Sequence, residues 1–156
     1  MRKQIVDSNI STSAEANGPW LDIDALARVE ITSEESTHPI EAALIPGDQS
    51  GWRAAFPGEQ TIKLLFDAPQ LIQRIWLQFE ETQVERTQEF LLRWSADKGE
   101  TFREIMRQQW NFSPAGSTQQ KEELHVELHL VTVLELTIIP NISGGGIASL
   151  KTLRIA

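Results

Sequence analysis

Residues 90–105 read FLLRWSADKGETFREI. Phe90, Leu92 and Trp94 fall on alternate positions, the two-residue rhythm of a strand that buries one face. Asp97-Lys98-Gly99 then supplies a short hairpin loop, with glycine where the backbone needs a positive φ. REIMRQQWNF runs back as the partner strand. A strand, a tight turn and a returning strand imply an antiparallel sheet, and the rest of the chain repeats that grammar.

Outward from this hairpin, TIKLLF at 61–66 is closed by DAP, and LIQRIWLQF at 71–79 alternates apolar with polar. ELHVELHLVTVLELTIIP reads as two strands meeting near Leu130 and Val131, and SLKTLRI closes the chain. Upstream, Ala27, Val29 and Ile31 alternate with Arg28, Glu30 and Thr32. In PWLDIDALA, Asp22 is a candidate N-cap before Ile23 and Leu26, which predicts one short helical turn. Residues 1–18, rich in Ser, Thr, Asn and Gly, are expected to form a flexible arm, leaving 19–156 as a single domain. No helix longer than two turns is expected after residue 35. About eight short strands in one domain predict an all-β fold, an antiparallel β-sandwich of the eight-stranded jelly-roll kind.

Composition narrows the function. The 156 residues hold no cysteine, so neither a disulfide framework nor thiolate chemistry is available. Lys and Arg number 14 against 22 Asp and Glu, a net charge of −8 that repels a phosphate backbone. Nucleic acid is therefore not an expected partner. MRKQIVDSNISTSAEANG has basic residues but no apolar run behind them, so neither a secretory signal nor a membrane anchor is expected there, and the expected location is cytoplasmic.

The order of these pieces resembles the discoidin-like, galactose-binding-domain-like family, which includes the coagulation factor type C domains and many carbohydrate-binding modules. The likeness runs over roughly residues 27–156. FLLRWSADKGETFREI is similar to the family's strand, Ser, Asp-Gly hairpin and aromatic return strand. HPIEAAL followed by GWRA is similar to its early Ala, Asp-Gly, Trp segment. Two departures, the missing paired cysteines and the missing Asp-Gly in that first segment, count against extracellular lipid or collagen binding. The resemblance implies a non-catalytic binding module whose ligand loops gather at one end of the sandwich. The corresponding loops are 34–56 and 108–120.

Sugar-binding members of that family commonly use a His and an Arg from the first of these loops, which makes His38 and Arg53 candidates here. The alternative is structural: His38 caps a turn while Arg53 pairs with Glu41, Asp48 or Glu59. Trp52 is expected in the core. In the second loop, Trp110 could stack on a sugar face while Asn111 bonds its hydroxyls. Alternation sets Trp110 and Phe112 on one face and Asn111 on the other, so burial of at least one of the aromatics is the competing expectation.

Other constellations point less far. Asp48 is the obvious carboxylate for a calcium in the early loop, but turns use Asp for their own hydrogen bonds, and no metal or cofactor is expected. The glycines of NISGGGIASL precede a strand rather than a helix and suit a flexible connection. His125 and His129 share a strand face with Glu123 and Glu127, opposite an apolar face of Leu124, Val126, Leu128 and Leu130. Such a set suits a solvated side better than an acid-base or metal site. The leading expectation is a non-catalytic module for a carbohydrate or related polyhydroxy ligand, bound through His38, Arg53, Trp110 and Asn111. An intracellular protein-protein interaction module is the alternative, and a hydrolase using the His-Glu strand comes third.

Overall fold

The structure is a computed structural model that describes residues 19–47 and 50–156. The expected arm at 1–18 and the candidate ligand Asp48 lie outside the described residues. Among those described, two single-turn helices, α1 (Ile23–Leu26) and α2 (Glu41–Leu44), accompany eight strands. The strands are β1 (Ala27–Ile31), β2 (Trp52–Arg53), β3 (Gln60–Glu80), β4 (Arg86–Ser95), β5 (Arg103–Phe112), β6 (Gln119–Ile139), β7 (Ser149–Leu150) and β8 (Thr152–Ile155). All pairings between them are antiparallel. Asp22 caps α1 by accepting from the Ala25 amide at 3.3 Å.

β3 and β6 carry the architecture. The first half of β3 pairs with β1 and with the second half of β6, which in turn pairs with β4, and β5 closes that edge. The second half of β3 pairs with the first half of β6 and with β8. Each long strand therefore serves both layers of a sandwich. The bend lies in a run of register shifts between Leu65 and Arg74 of β3, opposite Val133 to His125 of β6. Bulges of this kind add twist and turn a strand from one layer into the next.

The breaks expected at DAP and near Leu130 are corrected by this geometry. Asp67, Ala68 and Pro69 are exposed on a continuous, bulged β3, where a proline without an amide donor is tolerated. Leu130 takes φ +59 within a continuous β6 and stands 66% exposed, while Val131 beside it is fully buried. The apolar face expected to include Leu130 therefore stops at Leu128, because one left-handed residue shifts the alternation.

The core fills the space between the layers. Trp52, Phe79, Phe90 and Phe112 are fully buried, and the Phe79 and Phe90 rings stack with centroids 5.4 Å apart. Trp52 also satisfies its indole, donating to the Ser33 carbonyl at 3.0 Å. Arg154, buried on β8, donates to the Ala43 carbonyl at 2.8 Å and so fastens α2 to the sandwich.

The 95–101 hairpin is built around one carboxylate. Asp97 Oδ1 accepts from the Ser95 hydroxyl at 2.6 Å and the Thr101 amide at 2.9 Å, and Oδ2 accepts from the Thr101 hydroxyl. Lys98 as well as Gly99 has positive φ. The Lys98 amide donates to Thr132 at 2.8 Å, pinning the turn to β6. Hydrogen bonds from Ser95 and then from Thr101 lower the Asp97 pKa from 3.8 to about 2. A depressed folded pKa means that the stabilisation is complete above 3.8 and is lost as pH falls through about 2. Asp97→Asn is thus expected to melt several degrees below the parent at neutral pH. In thermal scans across an acid series the gap is expected to close as pH falls toward 2.

Candidate functional site

The connections at the end of the sandwich that carries the β3–β4 turn are tied to one another by backbone hydrogen bonds. Arg53 N donates to His38 O, Glu35 N to Arg53 O, Ala54 N to Ala148 O, and Gly58 N to Gly146 O. On the far side Glu81 N donates to Thr118 O, and Ile142 N to Thr87 O. The loops at 34–56 and 108–120 thus belong to one rim, with residues 81–85 between them.

His38 and Arg53 come together, and the residue that gathers them is Glu35. Its Oε1 lies 3.1 Å from His38 Nδ1 and 2.7 Å from the Thr37 hydroxyl, and its Oε2 lies 3.6 Å from Arg53 Nε. The turn at Glu35–His38 is closed by the His38 amide on the Glu35 carbonyl at 2.9 Å. Of the expected carboxylates, neither Glu41 nor Glu59 pairs with Arg53, and Asp48 is outside the described residues. The hydrogen bond from Thr37, then that from His38, outweighs the opposing effect of burial and holds the Glu35 carboxyl below its usual range. Ionised Glu35 orients the imidazole through Nδ1, which leaves His38 Nε2 and the terminal nitrogens of Arg53 without a partner among the described residues.

These two side chains line a polar cleft of about 180 Å³ together with residues 80–83, Ser149 and Lys151. Lys151 Nζ lies 3.5 Å from Glu80 Oε1. Glu81 is pushed up by burial and pulled down further by the Arg86 hydrogen bond and the Gln83 and Val84 amides, so that its pKa is lowered overall. Cationic and anionic groups therefore alternate around the cleft, each with a counter-charge nearby. That pattern suits a neutral ligand held by directional hydrogen bonds.

Trp110 and Asn111 do not join this cleft. On β5, Trp110 packs half-buried against the core and its Nε1 donates to Ser117 Oγ at 3.1 Å. Phe112 on the same face is fully buried. Asn111 points outward and accepts from the Thr87 hydroxyl at 2.7 Å. It lines a separate pocket with Arg86 and Asn141. His125 and His129 are both exposed, and no group of three or more His, Asp or Glu among the described residues is arranged to hold a metal ion. Glu35, Glu81 and Lys151 escaped the sequence reading, since acidic residues crowd these segments and nothing in their spacing marks those that turn inward.

No family model and no curated protein matches the sequence. Solved structures do match the fold. The chain is similar to the family 32 carbohydrate-binding module of Clostridium perfringens NanJ in complex with galactose, at TM-score 0.64 and 12% identity over 87% of this chain and 97% of that one. It is similar also to the C. perfringens module CpGH89CBM32-5 in complex with GalNAc-β-1,3-galactose, at TM-score 0.63 and 18% identity, covering 88% and 99%. A pectin-binding carbohydrate-binding module matches at TM-score 0.61 and 18% identity, covering 83% and 89%. The chain therefore has the discoidin-like, galactose-binding-domain-like jelly-roll fold.

Glu81 and Glu80 differ sharply in what they support. Glu81 Oε1 accepts from the buried Arg86 Nε at 2.8 Å, and Oε2 accepts from the Gln83 and Val84 amides at 3.0 and 3.3 Å. Removing it strands a buried guanidinium, so Glu81→Ala is expected to lower stability by about 3 kcal/mol. Glu80→Ala, which breaks a partly exposed ion pair, is expected to cost under about 1 kcal/mol. Urea titrations of the two variants would measure the difference.

Proposed function

We propose that this chain is a carbohydrate-binding module that holds a neutral sugar in the cleft of His38 and Arg53. One observation carries the reading. At the loop rim of a fold shared with carbohydrate-binding modules, an imidazole nitrogen and a guanidinium edge are oriented by Glu35 and left open toward a polar cleft. The guanidinium fork can donate to adjacent sugar hydroxyls, while the imidazole Nε2, its partner nitrogen Nδ1 carrying the proton toward Glu35, can accept from a third hydroxyl, as can the neighbouring carboxylates. Galactose and N-acetylgalactosamine are the natural first candidates, because they are neutral and are the sugars in the complexes of structural neighbours.

Isothermal titration of the full chain with galactose, N-acetylgalactosamine and GalNAc-β-1,3-galactose tests the proposal. Saturable binding is expected, weakened about 10- to 100-fold in Arg53→Ala, as the loss of hydrogen bonds from a charged donor implies. Trp110→Phe is expected to lower the thermal midpoint and leave affinity unchanged. No binding heat with any of these saccharides at millimolar concentration would overturn the reading and direct attention to protein ligands.

A further inference from the structure

On the other flank of the β3–β4 loop, a second pocket of about 440 Å³ is walled by Arg86, Asn111, Ser113, Asn141 and Ser143. The Arg86 side chain is 2% exposed. Its Nε donates to Glu81, and its Nη1 to Gln88 Oε1 at 3.2 Å and the Pro140 carbonyl at 2.8 Å. Nη2 has no acceptor among the described residues. The Arg86 guanidinium lines the pocket and Nη2 is not sealed into the core, so it is a donor that a ligand oxygen in the pocket can use.

The surrounding groups share that bias. Asn111 spends its side-chain oxygen on the Thr87 hydroxyl at 2.7 Å, and Asn141 spends its own on the Ser143 amide at 3.2 Å. With amide orientations set by those bonds, both NH2 ends remain available. The Ser113 and Ser143 hydroxyls add donors that turn freely. Charge then selects among acceptor-rich ligands. Glu81 already neutralises Arg86, and Glu85 adds a carboxylate to the wall, so an anion meets net repulsion.

We propose that this pocket is a second saccharide subsite, which accepts a neutral sugar unit through its hydroxyl or acetamido oxygens. The proposal rests on the carbohydrate reading of the rim for its ligand class alone; its donors are distinct from those of the His38 cleft.

The test is an NMR titration of the 15N-labelled full chain with galactose, with β-1,4-galactotetraose and with galacturonate. Reporters are the Arg86 Nε–H and the Asn111 and Asn141 side-chain amides for this pocket, and the Arg53 backbone amide for the cleft. Galactotetraose is expected to move the pocket resonances saturably in the parent and in Arg53→Ala. The response should weaken at least about tenfold in Asn111→Leu, and galacturonate should bind less well than galactose. Ser143→Val serves as a second blocking variant, and a thermal midpoint checks that each variant is folded. Pocket resonances that stay still while Arg53 saturates, or unchanged affinity in both blocking variants, would overturn the subsite and leave the cleft standing. Pocket shifts with a silent Arg53 would uphold the subsite and overturn the cleft. Tighter binding of galacturonate than of galactose would overturn the neutral specificity, and silence at both sets of reporters would overturn both proposals.

Discussion

The rim depends on a single buried cation. Arg86 opens β4 beneath the loops, its guanidinium lies 5.0 Å from the centre of the Phe112 ring, and its hydrogen bonds join the turn before it, its own strand and the distant exit of β6. Through Glu81 it shapes the β3–β4 turn, through the Pro140 carbonyl it holds the exit of β6, and through Gln88 it extends to Gln120 at the start of β6. A charge that deep costs several kcal/mol to desolvate, and an apolar residue of similar volume would often give equal or better stability. What the ion pair supplies is position. Its removal would free both the 81–85 segment and the 140–143 segment, the two that stand between the cleft and the second pocket.

That cation acts on a frame whose geometry comes from two long strands. β3 and β6 each cross from one layer to the other, and the facing bulges at 65–74 and 125–133 let them do so without breaking their pairing. The 95–101 turn is anchored to this frame by Thr132, which accepts from Lys98 and donates to the Ser95 carbonyl at 3.1 Å. A rim built on continuous strands has little freedom to drift, which favours preorganised contacts over loops that must order on binding.

The strands were legible because a half-buried strand writes its rhythm into the sequence. Phe90 and Leu92 could be placed on one buried face from alternation, and both are fully buried, whereas Trp94, placed on the same face, is half-buried because the register shifts between Leu92 and Arg93. The continuity of β3 and β6 was not legible. Asp67-Ala68-Pro69 has the composition of a turn, and Leu130 gives no warning of its left-handed backbone, since nothing about a leucine asks for positive φ. At the site, His38 and Arg53 were marked by resemblance rather than by pattern, and their shared partner Glu35 was one acid among many. Trp110 and Asn111 were grouped because they are adjacent, yet adjacency in a strand sends side chains to opposite faces. The pleat separates what the sequence sets side by side.

Charge compensation also bounds what this rim can recognise. The chain carries a net charge of −8, but the polar cleft and the second pocket each present cations already countered by Glu35, Glu80 or Glu81. The local field within each pocket is therefore weak, and selectivity there has to come from the direction of donors and acceptors at contact. For a polyhydroxy ligand this is an advantage, because its hydroxyls both give and take hydrogen bonds and carry no charge to be repelled. For a phosphate or a nucleic acid it is a barrier, since the acid surrounding each guanidinium would have to be displaced or neutralised first. The same balance that makes the rim a poor ion trap is the one that the proposed neutral, oxygen-rich ligand would require.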